Sequence, residues 1–121
     1  MRGPFEVRRI YEVGHGTGEY RVLVDRLWPR GITKDDAALD EWAKDAAPSA
    51  ALRRWYGHDP EKFDEFARRY RDELGRPPTS DAVEHLRTLA LDQHVVLLTA
   101  TRDVDHSGAR VLRDRLASHQ R

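Results

Sequence analysis

Cysteine is absent from this 121-residue chain, which removes disulfides, thiolate metal sites and thiol nucleophiles together. Lysine is nearly absent as well: of 21 basic residues, all but Lys34, Lys44 and Lys62 are arginine. Guanidinium forks suited to anions are one reading of that excess; the codon bias of a GC-rich genome is the other. An excess of charge of either sign is also missing, with 21 basic residues against 21 acidic ones. That balance disfavours nucleic acid as a partner and leaves room only for local patches. No apolar run approaches a membrane span, and Met1-Arg-Gly-Pro-Phe-Glu6 carries no h-region of a secretion signal. A cytoplasmic location without membrane contact is therefore expected. Neither His-x-x-x-His nor His-Glu-x-x-His occurs, so no metal site is expected. No motif names a cofactor, and nothing fixes an oligomeric state.

What is present reads as one domain over residues 1–121, a length that buries roughly two-thirds of the surface of the unfolded chain. Phe5 to Val13 reads as a strand whose charges, Glu6, Arg8, Arg9 and Glu12, give it a wet face or an edge position. Gly14-His-Gly-Thr-Gly18 resembles a phosphate loop in its glycines only. Such a loop must open a helix, and here a strand follows.

That strand runs from Tyr20 to about Arg26, and its Val22-Leu-Val24 core is apolar on both faces, the mark of a strand covered on both sides. Val95 to Leu98 has the same character. Thr33-x-x-Asp36 is a capping-box pattern for one short helical turn. Residues 39–45 form either a third short strand or an extended connection in which Trp42 packs on the core.

Helices are expected from Ser49 as N-cap to Gly57, from Asp59-Pro60 to Gly75, from Thr79 or Ser80 to about Ala90, and from about His106 to Ala117. The second carries the clearest stripe: Phe63, Phe66, Ala67, Tyr70 and Leu74 face one way, and the pairs Asp64–Arg68 and Glu65–Arg69 lie outside. Strands alternating with helices give an α/β fold, a small layered domain with a mostly parallel sheet of three or four strands flanked by about four main helices.

In open α/β sheets ligands bind beyond the carboxyl ends of the strands. Here that rule selects Asp25 to Gly31 and Thr99 to His106, which meet if the two central strands are parallel neighbours. The pocket so formed holds Asp25, Arg26, Trp28, Arg30, Arg102, Asp103 and His106. Arg26, Arg30 and Arg102 are candidates for an anion, because a planar fork matches carboxylate or phosphate. The alternative for Arg26 and Arg30 is pairing with Asp25, Asp36 or Asp40. Trp28 either walls the site or packs in the core.

His106 sits at a strand-to-helix junction, where an imidazole suits proton transfer. Alternatively Asp103 or Asp105 caps the helix and orients the ring. Asp25 and Asp103 are further acid–base candidates, and Thr99 and Ser107 become nucleophiles only beside a base. His58 reads as a corner between helices.

Along nearly its whole length the chain resembles the YeaO-like proteins of domain-of-unknown-function family 488. The motifs are Arg21-Val-Leu-Val-Asp-Arg-Leu-Trp-Pro-Arg-Gly31, Trp42-x-Lys44-Asp45-x-x-Pro48-Ser49, Trp55-Tyr-Gly-His-Asp59, Phe66-x-x-x-Tyr70-x-x-Glu73-Leu74 and Leu97-Leu-Thr-Ala-x-x-Asp103-x-x-His106. The resemblance implies a small soluble α/β protein and supplies no reaction. Arg102 stands where those proteins usually have lysine, and Ser107 where they have asparagine. Longer relatives carry a cysteine beside the loop histidine, so a thiol mechanism does not transfer. The expected function is binding of, or action on, a small phosphorylated, carboxylated or nucleotide-like ligand. The alternative is a regulatory or interaction module without catalysis.

Overall fold

Two runs without charge, Val22–Val24 and Val95–Leu98, lie at the middle of the sheet, where a strand hides both faces. The computed structural model describes residues 5–12 and 18–118. Its sheet has the order β1-β4-β2-β3, built from β1 (Phe5–Arg9), β2 (Glu19–Leu23), β3 (Glu41–Trp42) and β4 (His94–Thr99). Every pairing is parallel, with Phe5 and Tyr20 both beside Val95, and Leu23 beside Leu98. Among the described residues five α-helices complete the fold: α1 (Lys34–Ala37), α2 (Ala50–Tyr56), α3 (Phe63–Leu74), α4 (Thr79–Leu89) and α5 (Gly108–Ser118). No helix among the described residues is long and apolar enough to cross a membrane.

The two faces of the sheet are closed differently. Phe5, Val22, Val24, Val95 and Leu97 point toward α2 to α5 and share a core with Leu52, Phe66, Tyr70, Leu86 and Leu112. Leu23, Val96 and Leu98 point the other way, where Ile10, Ala37, Trp28, Ile32 and Trp42 cover them without a long helix. Burying each large apolar side chain stabilises the fold by about 1.5–3 kcal/mol, so the helical face dominates.

Local chemistry sets most element ends. The Thr33 hydroxyl accepts the Asp36 N–H at 3.0 Å and starts α1. Ser49 caps α2 through Leu52 N at 3.2 Å, and Gly57 closes it at φ +55°. Asp59 caps a turn at Pro60–Lys62 that leads into α3. Tyr70, fully buried on α3, donates its hydroxyl to the Ala46 carbonyl. Glu73, one turn on, takes Ser49 N at 2.8 Å and Ser49 Oγ at 2.6 Å. This face of α3 thereby fixes the loop that enters α2.

Several boundaries differ from the sequence reading. β1 ends at Arg9, because Ile10–Glu12 turn over the sheet and bury Ile10 against Val96 and Leu98. Val13 and residues 14–17 of the glycine-rich connection lie outside the described residues. The pairing of β2 stops at Leu23 with one more bond, Val24 N to Leu98 O at 3.0 Å. The ambiguous stretch 39–45 holds a two-residue strand, fastened by Asp40 N to Arg21 O at 2.9 Å and Ala43 N to Leu23 O at 2.8 Å. On α3, Glu65 binds both Arg68 and Arg69, and Arg68 turns to Glu65 rather than to the shorter Asp64. The last helix begins at Gly108 rather than His106, after a separate turn at Val104–His106.

Candidate functional site

Parallel pairing of β2 with β4 brings the two carboxyl-end segments together. Asp25 leaves the sheet just past β2, and its side chain is held by the last residue of β4 and the first residue beyond it. Thr99 Oγ1 donates to Oδ1 at 2.7 Å, and Ala100 N donates to Oδ2 at 2.7 Å. Trp42 Nε1 holds the Asp25 carbonyl at 2.8 Å. Burial raises the Asp25 carboxyl above the ordinary carboxylate value, against the pull of those two donors and of nearby His58.

Beside Asp25 opens a cavity of about 580 Å³. Its inner walls are Val24, Pro48, Tyr56, Phe66 and Ala109, and its polar lining includes Arg26, Arg30, Arg53, Arg102, Asp103, His58 and Ser107. Of these, Arg30, Arg53 and Arg102 are exposed, whereas Arg26 and Asp25 are half-buried. Gly108 belongs here for a steric reason: a Cβ on it would meet Pro48 Cγ at 3.1 Å. Ser107 caps α5, accepting Arg110 N at 3.1 Å while donating to Val104 O at 2.6 Å. The first turn of α5 therefore borders the cavity with its positive end.

Each expected site residue has a definite place. Arg26 does not pair with an acid among the described residues; its Nε donates to Pro48 O at 2.9 Å and its Nη2 to Ala47 O at 3.4 Å. These two bonds to backbone carbonyls tie down the loop before α2. Arg30 holds Tyr11 through its carbonyl at 2.8 Å, and neither its guanidinium nor that of Arg102 has a partner among the described residues. Trp28 combines both expected roles, lining the cavity while packing edge-on against Trp42 at 5.2 Å, with Nε1 on Ile32 O at 2.7 Å.

His106 reaches the cavity only through its partner Asp103. Its ring meets Phe63 edge-on at 5.0 Å, its Nδ1 lies 2.8 Å from Asp103 Oδ2, and its carbonyl accepts the Tyr56 hydroxyl at 2.5 Å. Asp103 lines the cavity; the imidazole does not. Ser107 donates its hydroxyl proton to the Val104 carbonyl and has no base beside it among the described residues, whereas the Thr99 hydroxyl donates to the Asp25 carboxylate, which it helps to hold in place.

Arg53, Tyr56, His58, Tyr11 and Pro48 were not foreseen as lining. Tyr56, His58 and Pro48 lie inside motifs that carry the family resemblance, which was the available signal. His58 is indeed a corner, at φ +59°, and the corner faces the cavity.

A second charged group sits on the other face of the sheet, toward the amino ends of the strands. Glu6, Glu19 and His94 offer ligand atoms within 4.8 Å of one another. Arg8 already spans the two carboxylates, with Nε 2.7 Å from Glu6 and Nη2 on Glu19, and His94 Nε2 lies 3.0 Å from Glu6. These carboxylates hold the guanidinium well above its ordinary proton affinity, Glu6 contributing most. The cation this cluster takes is its own arginine. No spacing rule sees the group, because three strands assemble it.

Fold and site together define a parallel α/β protein with an arginine-rimmed cavity at the carboxyl edge of its sheet. A family model described as the inactive DUF488-N3 subclade matches residues 4–121, and the chain belongs to that family. It is 51% identical over 106 residues to uncharacterized proteins of Mycobacterium tuberculosis and Mycobacterium bovis, covering 88% of this chain and 87% of theirs. It is 36% identical over 113 residues to the uncharacterized protein YeaO of Escherichia coli, covering 93% of this chain and 96% of that one. The YeaO-like resemblance is thereby established. No solved structure matches the chain.

Proposed function

We propose that this protein is a single cytoplasmic domain that binds a small anionic ligand in the carboxyl-edge cavity and does not turn it over. The observation that carries the reading is the pair Arg30 and Arg102, exposed guanidinium groups on one cavity without a carboxylate partner among the described residues. Unpaired forks at a concave site favour phosphate or carboxylate. Arg26 adds fixed positive charge, the first turn of α5 adds its dipole, and Trp28 with Tyr56 supplies walls.

Binding without turnover is favoured by the word inactive in the description of the family. It is also favoured by the His106 ring packing edge-on against Phe63, so that of the hydrogen-bonded His106–Asp103 pair only Asp103 lines the cavity. Titration with inorganic phosphate tests the reading: saturable binding is expected, weakened by Arg30→Ala and by Arg102→Ala. No binding by the unaltered protein would end it.

The alternative, an interaction module using its surface arginines, is less favoured because Arg8, Arg68 and Arg69 are already matched to glutamates.

A further inference from the structure

We infer that the ligand is a phosphorylated ring compound that presents side-by-side hydrogen-bond donors to Asp25. The inference rests on the anion-binding reading and adds what the other end of the ligand must be.

The cavity is chemically lopsided. Arg30, Arg53 and Arg102 are exposed, while the Asp25 carboxylate is withdrawn beside Val24 and the end of β4. A ligand anion therefore meets guanidinium groups at the rim, and whatever reaches inward meets a carboxylate. Counted over the lining, Arg26, Arg30, Arg53 and Arg102 face Asp25 and Asp103. The positive surplus suits the dianion of a phosphate monoester.

The inner carboxylate sets the second requirement. An ionised carboxylate offers about four lone-pair directions. Thr99 uses one on Oδ1 and Ala100 one on Oδ2, which locks the plane of the group. One acceptor direction on each oxygen is left without a protein donor among the described residues. Two acceptors side by side in a fixed plane match two donors side by side, as in vicinal hydroxyls or the amino–imino edge of a guanine-like base. A desolvated carboxylate gains most from such donors, because burial otherwise penalises its charge.

The same cavity is lined by Tyr56, Phe66 and Pro48, apolar surfaces suited to a ring. The volume of about 580 Å³ falls within the roughly 300–1,000 Å³ of small-molecule sites. A bare phosphate fills little of it. Sugar and base are two sources of the same donor pair, and the experiment separates them.

Calorimetric titration of the unaltered chain with inorganic phosphate, phenyl phosphate, ribose phosphate and guanosine monophosphate is the test. Phenyl phosphate has the ring and the anion without the donors. At least one donor-bearing compound is expected to bind roughly tenfold or more tightly than phenyl phosphate, the increment of one charge-assisted pair. That increment is expected to vanish in Asp25→Asn and, in the unaltered protein, to shrink as acid protonates Asp25. The unaltered chain thus carries the test even if the variant folds poorly. A gain with ribose phosphate assigns the donors to the sugar, and a gain with the guanine compound alone assigns them to the base.

Equal binding of all four compounds overturns the inference and leaves the anion reading standing. Failure of every compound, inorganic phosphate included, overturns both.

Discussion

Two charged clusters sit on the same strands, one toward each end of the sheet, and they are finished to different degrees. On the amino-terminal side Arg8 is saturated by Glu6 and Glu19, and His94 leans on Glu6. Each charge there is answered by a neighbour. On the carboxyl side Arg30 and Arg102 face a cavity without partners among the described residues, and Asp25 is held by neutral donors. Closed charge fastens strands together. Open charge beside a cavity waits for something from solution.

The contrast breaks most visibly at Arg8. Arg8→Ala leaves two glutamates with side chains at 25% and 15% exposure facing each other, with no guanidinium between them. Removing one partner of a partly buried pair is expected to destabilise by about 2 kcal/mol, less than for full burial. The denaturant midpoint should fall, and phosphate affinity should not change.

At the open end the ordering reverses. Arg30→Ala combined with Arg102→Ala should weaken phosphate binding by about tenfold or more, while stability measured by denaturant stays within about 0.5 kcal/mol. A large loss of stability there would mean that these arginines are structural after all.

Gly108→Ala probes the steric fit of the cavity wall at the open end. A Cβ at 3.1 Å from Pro48 Cγ forces the loop before α2 to yield, a destabilisation of about 1 kcal/mol by overpacking. Because Pro48 lines the cavity, affinity should drop with it, and thermal melting with and without phosphate reads both.

The smallest expected effect is a pH slope. Asp25 has a folded-state proton affinity raised above the ordinary carboxylate value of 3.8, mainly by burial. The folded state therefore binds the proton more tightly than the unfolded one. The stability of the native protein relative to Asp25→Asn should rise as pH falls from the raised value toward the ordinary one. Above that window the buried charge lowers stability. Melting curves of both proteins across acidic pH give the slope, and a relative fall in acid would contradict the burial.

How far the sequence carried depends on distance along the chain. Runs without charge at Val22–Val24 and Val95–Leu98 announced central parallel strands. Caps at Thr33, Ser49, Gly57 and Asp59 are satisfied within three or four residues, so they were legible too. The carboxyl-edge cavity followed from strand direction alone, and so did the placing of Asp25, Arg26, Trp28, Arg30, Arg102 and Asp103 around it.

What escaped was long-range. Arg21, nearly fully buried, donates to the carbonyls of Ala37 and Ala38, both at 3.0 Å, and so caps α1 from inside the sheet. Nothing near Arg21 in sequence suggests it. The Tyr56 hydroxyl reaches across 50 residues to His106, and the His106 ring packs edge-on against Phe63, so of the expected His106–Asp103 pair Asp103 alone lines the cavity. Tyr56 and His58 joined the cavity because the end of α2 packs there, which no local pattern encodes.

The most direct measurement of the central contrast is a residue-resolved amide NMR titration with inorganic phosphate. The account expects saturable shifts at Asp25 to Gly31 and at Ala100 to Ala109, and quiet amides at Glu6, Arg8, Glu19 and His94. Shifts centred on the Glu6–Arg8–Glu19 cluster, or none anywhere, would contradict it.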